Sequence, residues 1–162
     1  MNQAVLLLGG NLGDRKAIIS EANRLINESC GGIIKQSKIY ESEAWGFETE
    51  NNFFNQAILI ESKYNAKYLL ELTQNIEIQL GRKQKTSTNY VSRPIDIDIL
   101  FYNSDIIETD KLTIPHPRLH LRKFTLECLM DLNPSYIHPV LKNSISELLK
   151  QCVDNVKVWP YE

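Results

Sequence analysis

The chain is poor in the features that would place it in a specialised class. Its 162 residues contain three cysteines, Cys30, Cys128 and Cys152, widely spaced and with no C-x-x-C pair. That spacing argues against a disulfide framework or a zinc site and predicts three buried, reduced thiols. No apolar run approaches the roughly 20 residues that a membrane helix needs. The short run of residues 4–8 lacks a basic flank and leads straight into Gly9-Gly10-Asn11, so it reads as a first strand rather than a secretory leader. Charge of one sign is also missing. A formal net charge of -2 gives no overall attraction to nucleic acid, so any polyanion must be gripped by a local cluster of cations or metal. Glycine and proline are too few for a disordered or fibrous chain, and no G-x-x-x-x-G-K-[ST] occurs, which excludes a P-loop. These absences predict a cytoplasmic protein of one domain, residues 1–162, with no membrane or nucleic-acid partner.

What is present is a regular order of elements. Residues 3–9 form an almost uninterrupted apolar run that suits an interior strand. Ile18, Ala22, Leu25, Ile26 and Ser29 then share one helical face, with Asp14 as cap and Gly31-Gly32 as stop. Residues 33–40 read as a second strand and residues 53–61 as a third. The polar stretch 41–52 between them is long enough to be a binding loop. Asn65 can cap a second helix with the stripe Leu69, Leu72, Ile76 and Leu80, ended by Gly81. After a charged loop, residues 82–93, a fourth strand spans 95–102. Strand, helix, strand, strand, helix, strand is the order of an α+β, ferredoxin-like βαββαβ sandwich with an antiparallel sheet. A hairpin near 103–113, a helix over 122–132 and another opened by the capping box Ser144-Ile145-Ser146-Glu147 complete the expectation. The tail after Leu149 carries no pattern that assigns it a role.

The chemistry is concentrated in Arg93-Pro94-Ile95-Asp96-Ile97-Asp98-Ile99-Leu100. A strand has a period of two, so Asp96 and Asp98 project from one face, with Cα atoms about 6.5 Å apart at a rise of roughly 3.3 Å per residue. Two carboxylates so close repel one another and favour a shared cation. Hard oxygen donors suit magnesium, which keeps waters and accepts phosphate oxygens as further ligands. Alternating polar residues also occur on solvated sheet faces, so the basic residues nearby decide the reading. Arg82, Lys83, Lys85 and Arg93 precede or adjoin the pair, and Lys111, His116, Arg118 and Arg122 follow it. A basic collar around an acidic strand is what a metal-bridged polyphosphate requires. A metal-dependent phosphatase and a ferredoxin-like RNA-binding module share parts of this pattern, but strand aspartates would repel an RNA backbone. His120 and His138 lack such a context and read as structural.

Four segments in order, G-G-N-L-G-D, Q-N-I-E-I-Q-L-G-R, R-P-I-D-I-D-I-L and T-I-P-H-P-R-L-H-L-R-K-F, resemble the hydroxymethyl-dihydropterin pyrophosphokinase family over residues 8–132. The resemblance implies transfer of diphosphate from ATP to the hydroxyl of 6-hydroxymethyl-7,8-dihydropterin, in folate biosynthesis, by a monomer. It implies that Asp96 and Asp98 coordinate two magnesium ions and that Arg82 and Arg93 contact the phosphates. Gln74, Glu77, Ile99, Lys111, Thr113, His116 and Arg122 would form the ATP site. Ser42, Trp45, Phe53, Asn55 and Phe124 would hold the pterin by stacking and amide hydrogen bonds. The chain departs from the family pattern in three places. The loop before Arg93 reads T-S-T-N-Y-V-S-R where the family has an aromatic and a glycine preceded by basic residues, so that Tyr90 would replace the aromatic and Lys83 and Lys85 the missing arginines. The pterin loop reads S-E-A-W-G without the usual prolines, and Gly10 stands where serine is common.

Overall fold

The computed structural model describes residues 1–47, 49, 51–81 and 92–161. Its framework is β1 (Asn2–Gly10), α1 (Arg15–Ser29), β2 (Gly32–Gln36), β3 (Tyr40–Ser42), β4 (Phe53–Ser62), α2 (Ala66–Gln79) and β5 (Asp96–Tyr102). A hairpin of β6 (Ile107–Glu108) and β7 (Thr113–Ile114), helices α3 (Lys123–Leu132) and α4 (Ile145–Gln151) and strand β8 (Val158–Pro160) follow. The main sheet runs β5-β1-β4-β3-β8, with β2 also paired to β4, and every pairing is antiparallel. This is the ferredoxin-like order extended by one strand.

The helix starts follow their caps. Asp14 accepts the Ala17 N–H (3.1 Å), Asn65 accepts the Tyr68 N–H (2.8 Å), and Ser144 and Glu147 form the reciprocal capping box. Gly81 ends α2 at a φ of +99°, where a side chain would be strained.

Alternation along the strands builds two cores. Ala4, Leu6 and Leu8 of β1, Ile58 and Ile60 of β4, and Ile97 and Ile99 of β5 pack with Ile19, Ile26, Leu69 and Ile76 of α1 and α2. On the other face Leu7, Ala57, Leu100 and Phe101 pack against Leu126 and Leu129 of α3 and Ile145 and Leu148 of α4. This second layer covers only part of its face, and the end of the sheet that it leaves open is the cleft described below.

Three expectations change. The second strand is not continuous, because Gln36 lies opposite Ile58 whereas Tyr40 lies opposite Asn55, so four steps on one strand match three on the other. The extra residue is a bulge held by Ser37, whose N–H donates to the Ala57 carbonyl and whose hydroxyl accepts the Ala57 N–H. It turns Tyr40 and Ser42 toward the α3 face. Next, the C-terminal tail is part of the sheet. β8 covers the edge of β3, and the Tyr161 ring rests 4.5 Å from that of Phe54. Finally, Cys30 and Cys128 are buried but Cys152 is half-exposed, since it follows the last turn of α4 and only one side of it meets the core. Burial pushes the Cys128 thiol up to about 12, which makes it inert.

Candidate active site

The ends of β1, β4 and β5 meet the N-terminus of α3 in a cleft lined by Leu7, Gly9, Ser42, Glu43, Trp45, Phe47, Phe53, Asn55, Arg93, Asp96, Asp98, Arg122 and Phe124. Asp96 and Asp98 face it together, while Ile95, Ile97 and Ile99 are buried on the opposite side. The pleat of one strand therefore separates core from chemistry. Glu77, on α2, accepts the Ile97 N–H at 2.7 Å and so holds β5 from its outer edge.

Basic side chains surround the acidic pair. The Arg93 Nε lies 3.4 Å from Asp96 Oδ2, and the His116 Nε2 lies 3.8 Å from Asp98 Oδ2. His116 Nδ1 accepts the Arg118 N–H, which leaves Nε2 to carry the proton toward Asp98. Arg122 is buried, with its guanidinium 4.7 Å over the Trp45 ring and 5.8 Å from that of Phe124. Burial lowers its pKa, and Asp98, Asp96 and Asp154 oppose that shift in decreasing order.

The other end of the cleft is aromatic and amide-lined. Asn55 is buried and donates to the Ser42 hydroxyl at 2.9 Å, which fixes its amide plane. Gly9 lies opposite it, where a Cβ would come within 3.1 Å of the Asn55 Oδ1. Phe53 carries Phe47 edge-on at 6.0 Å and the Arg93 guanidinium at 5.4 Å.

Nine residues singled out from sequence thus share one cleft: Ser42, Trp45, Phe53, Asn55, Arg93, Asp96, Asp98, Arg122 and Phe124. Glu77 and His116 sit beside it through β5 and Asp98. Gln74, Lys111 and Thr113 are exposed and do not line it. Ile99 is 3% exposed in the α1–α2 core, so its side chain is excluded from the cleft and only its main chain is on offer to a ligand. Arg82, Lys83, Lys85 and Tyr90 lie outside the described residues.

Sequence reasoning missed Asn11. Its N–H donates to the Arg93 carbonyl and its Oδ1 accepts the Arg93 N–H, both at 2.9 Å, while Nδ2 reaches the Ser92 hydroxyl at 3.0 Å. Gly10 permits this, because a Cβ there would lie 2.1 Å from the Pro94 carbonyl oxygen. The G-G-N turn was visible as a motif, but its partner is 82 residues away. Glu43 and Phe47 were also missed, although they flank Trp45 in the loop.

The two carboxylates fit magnesium only as an incomplete set. Among the described residues no cluster of three or more His, Cys, Asp or Glu side chains exists to hold a metal alone. A magnesium ion bound by one or two carboxylates, waters and phosphate oxygens needs no such cluster.

Fold and site together define a ferredoxin-like α+β protein whose sheet presents paired acids to an arginine-flanked, aromatic-walled cleft. The fold matches the crystal structure of Plasmodium falciparum HPPK-DHPS with pteroate at a TM-score of 0.76 and 20% identity, over 93% of this chain and 44% of that one. This chain thus spans under half of that bifunctional polypeptide. Residues 5–134 match the model of the 7,8-dihydro-6-hydroxymethylpterin-pyrophosphokinase (HPPK) family, and the chain belongs to that family. It is 38% identical over 136 residues to the 2-amino-4-hydroxy-6-hydroxymethyldihydropteridine pyrophosphokinase of Porphyromonas gingivalis, covering 83% of this chain and 92% of the relative. The Bacillus subtilis enzyme of the same name is 36% identical over 159 residues, 98% of this chain and 90% of its own.

Proposed function

We propose that this chain transfers diphosphate from ATP to the hydroxyl of 6-hydroxymethyl-7,8-dihydropterin in the cleft beside β5, with Asp96 and Asp98 as its metal ligands. Membership of the pyrophosphokinase family supports the reaction. The observation that carries the choice of site is that Asp96 and Asp98 face one cleft, with Arg93, His116 and Arg122 around them. In the transfer the pterin hydroxyl oxygen forms a bond to the β-phosphorus, the bond from that phosphorus to the AMP oxygen breaks, AMP leaves, and the hydroxyl proton is released to solvent. Two magnesium ions held by the aspartates would neutralise charge on the triphosphate and leave phosphate oxygens oriented for in-line displacement.

The chain's own residues supply positioning and charge. Arg93, tied to Asn11 through its main chain, presents its guanidinium at the junction of the acidic and aromatic ends, where a transferring phosphate would lie. Arg82 is assigned a phosphate contact from the family resemblance alone, and His116 and Arg122 add further hydrogen-bond donors to the wall. Phe53 and Phe124 provide faces for a flat heterocycle, Trp45 shields it from water, and Asn55 reads its amide-like edge. Gln74, Glu77, Lys111, Thr113 and the main chain of Ile99 serve the nucleotide at the outer edge of β5. The protein acts as a single domain over residues 1–162, a monomer in the cytoplasm. None of the described helices is long and apolar enough to cross a membrane.

Product analysis tests the reading. A mixture of ATP, magnesium and hydroxymethyl-dihydropterin should release AMP and pterin diphosphate in equal amounts. ADP in place of AMP, or ATP hydrolysis indifferent to the pterin, would contradict it.

A further inference from the structure

The family match ends at residue 134, yet the segment beyond it reaches back to both walls of the cleft. Asp154 is the centre of this contact. Its Oδ2 accepts the N–H of Lys123, the first residue of α3, at 3.0 Å, and its Oδ1 accepts the Val156 N–H at 3.0 Å. The Arg122 side chain at the cap position makes no capping bond of its own, so a residue 31 positions away caps α3. Three residues further on, Lys157 exchanges two bonds with Glu43: its N–H donates to Glu43 Oε1 at 3.0 Å, and its carbonyl accepts the Glu43 N–H at 3.2 Å. Strand β8 then pairs with β3, Ser42 opposite Val158.

The two walls that this segment joins from outside also touch inside. α3 brings Arg122 and Phe124, the chain after β3 brings Ser42, Glu43 and Trp45, and the guanidinium of Arg122 lies over the Trp45 ring. At its far end α3 is tied to β3 by Asp131, which accepts from the Tyr40 hydroxyl at 3.1 Å and the Lys38 N–H at 3.0 Å; at the cleft end the outer link and the stack lie on either side of the walls. From this geometry we infer that residues 154–160 form a bracket, with Asp154 as a positioning residue that sets the width of the aromatic end of the cleft and hence its grip on the pterin. The acidic end is held separately, by Asn11 and Glu77, so ATP feels the bracket only through Arg122 and less than the pterin does. This inference rests on the cleft's being the pterin site.

The test uses Asp154→Ala and Asp154→Asn in the full chain, with and without Trp159→Phe. The chain has two tryptophans, so in the Trp159→Phe background emission reports Trp45 alone. Asp154→Ala is expected to shift Trp45 emission in the absence of any ligand. It should raise the KM for pterin about tenfold while the KM for ATP stays within about twofold, as loss of a charged cap and a small misplacement would produce. Asp154→Asn keeps one oxygen acceptor and should recover the pterin KM to within about threefold of wild type. Unchanged emission and unchanged KM values would overturn the bracket. Equal rises in both KM values, tracking a lower melting temperature, would overturn the positioning role. A wild-type protein that forms no AMP would defeat the reading of the cleft instead, and emission of Trp45 that is identical in all three Asp154 forms would then overturn the bracket separately.

Discussion

The two faces of β5 share a backbone and little else. One face sends Ile97 and Ile99 into a dry core with α1 and α2, and the other sends Asp96 and Asp98 into a cleft ringed by Arg93, His116 and Arg122. Adjacent residues therefore carry different obligations. A change on the inner face costs folding and leaves the chemistry of folded molecules intact, whereas a change on the outer face costs turnover and leaves folding intact.

The largest effect is expected at Asp98. Asp98→Ala should lower the rate of AMP release by about 10³-fold or more, because transition-state charge loses a metal ligand. Its melting temperature should stay within a few degrees, since the carboxylate is partly solvated and contributes little to the core. An Asp98 variant that melts early would blur the comparison; one that stays active would break it. Its neighbour supplies the converse. Ile97→Ala deletes a side chain 4% exposed and should cost about 2–5 kcal/mol by chemical denaturation, with a turnover per folded molecule within a few-fold of wild type.

Arg122 sharpens the account at the rim of the cleft. Arg122→Lys keeps the positive charge and gives up the planar contact with Trp45 and Phe124, so kcat/KM should fall roughly 10- to 100-fold. A full recovery by lysine would mean that charge alone matters there. The smallest effect lies beyond the cleft, at His138, whose Nδ1 accepts the N–H groups of Val140 and Leu141. Burial, then His120, lower its pKa below the ordinary 6.5, so the unfolded chain binds the proton first. This contribution to stability is full at neutral pH and is lost as pH falls below about 6.5 toward the lower folded value. Denaturation midpoints measured across that range should decline, and His138→Gln should flatten the slope.

Much of the framework was legible because its signals are local. Asp14, Asn65 and the Ser144–Glu147 box each sit within four residues of the groups they cap. The D-x-D pair could be assigned to one face because the period of a strand is a backbone property that no neighbour overrides. The same rule sends Ile99 to the opposite face, so its expected place in a nucleotide site extends only to its main chain. The bulge at Ser37 escaped notice because residues 33–40 read as continuous strand, and one extra residue becomes visible only against β4. β8 escaped because three residues at a sheet edge carry no periodicity. Asn11 escaped for a different reason: its hydrogen-bonding partners lie at Ser92 and Arg93, and sequence separation hides such pairs unless the fold is known.

The division of labour across β5 is tested most directly by diffraction from crystals grown with manganese in place of magnesium, a non-hydrolysable ATP analogue and a pterin. The account predicts anomalous density within roughly 2.0–2.2 Å of carboxylate oxygens of both Asp96 and Asp98, with the phosphate chain beside it. Anomalous density that touches neither carboxylate, with the phosphates lodged elsewhere on the sheet, would contradict it.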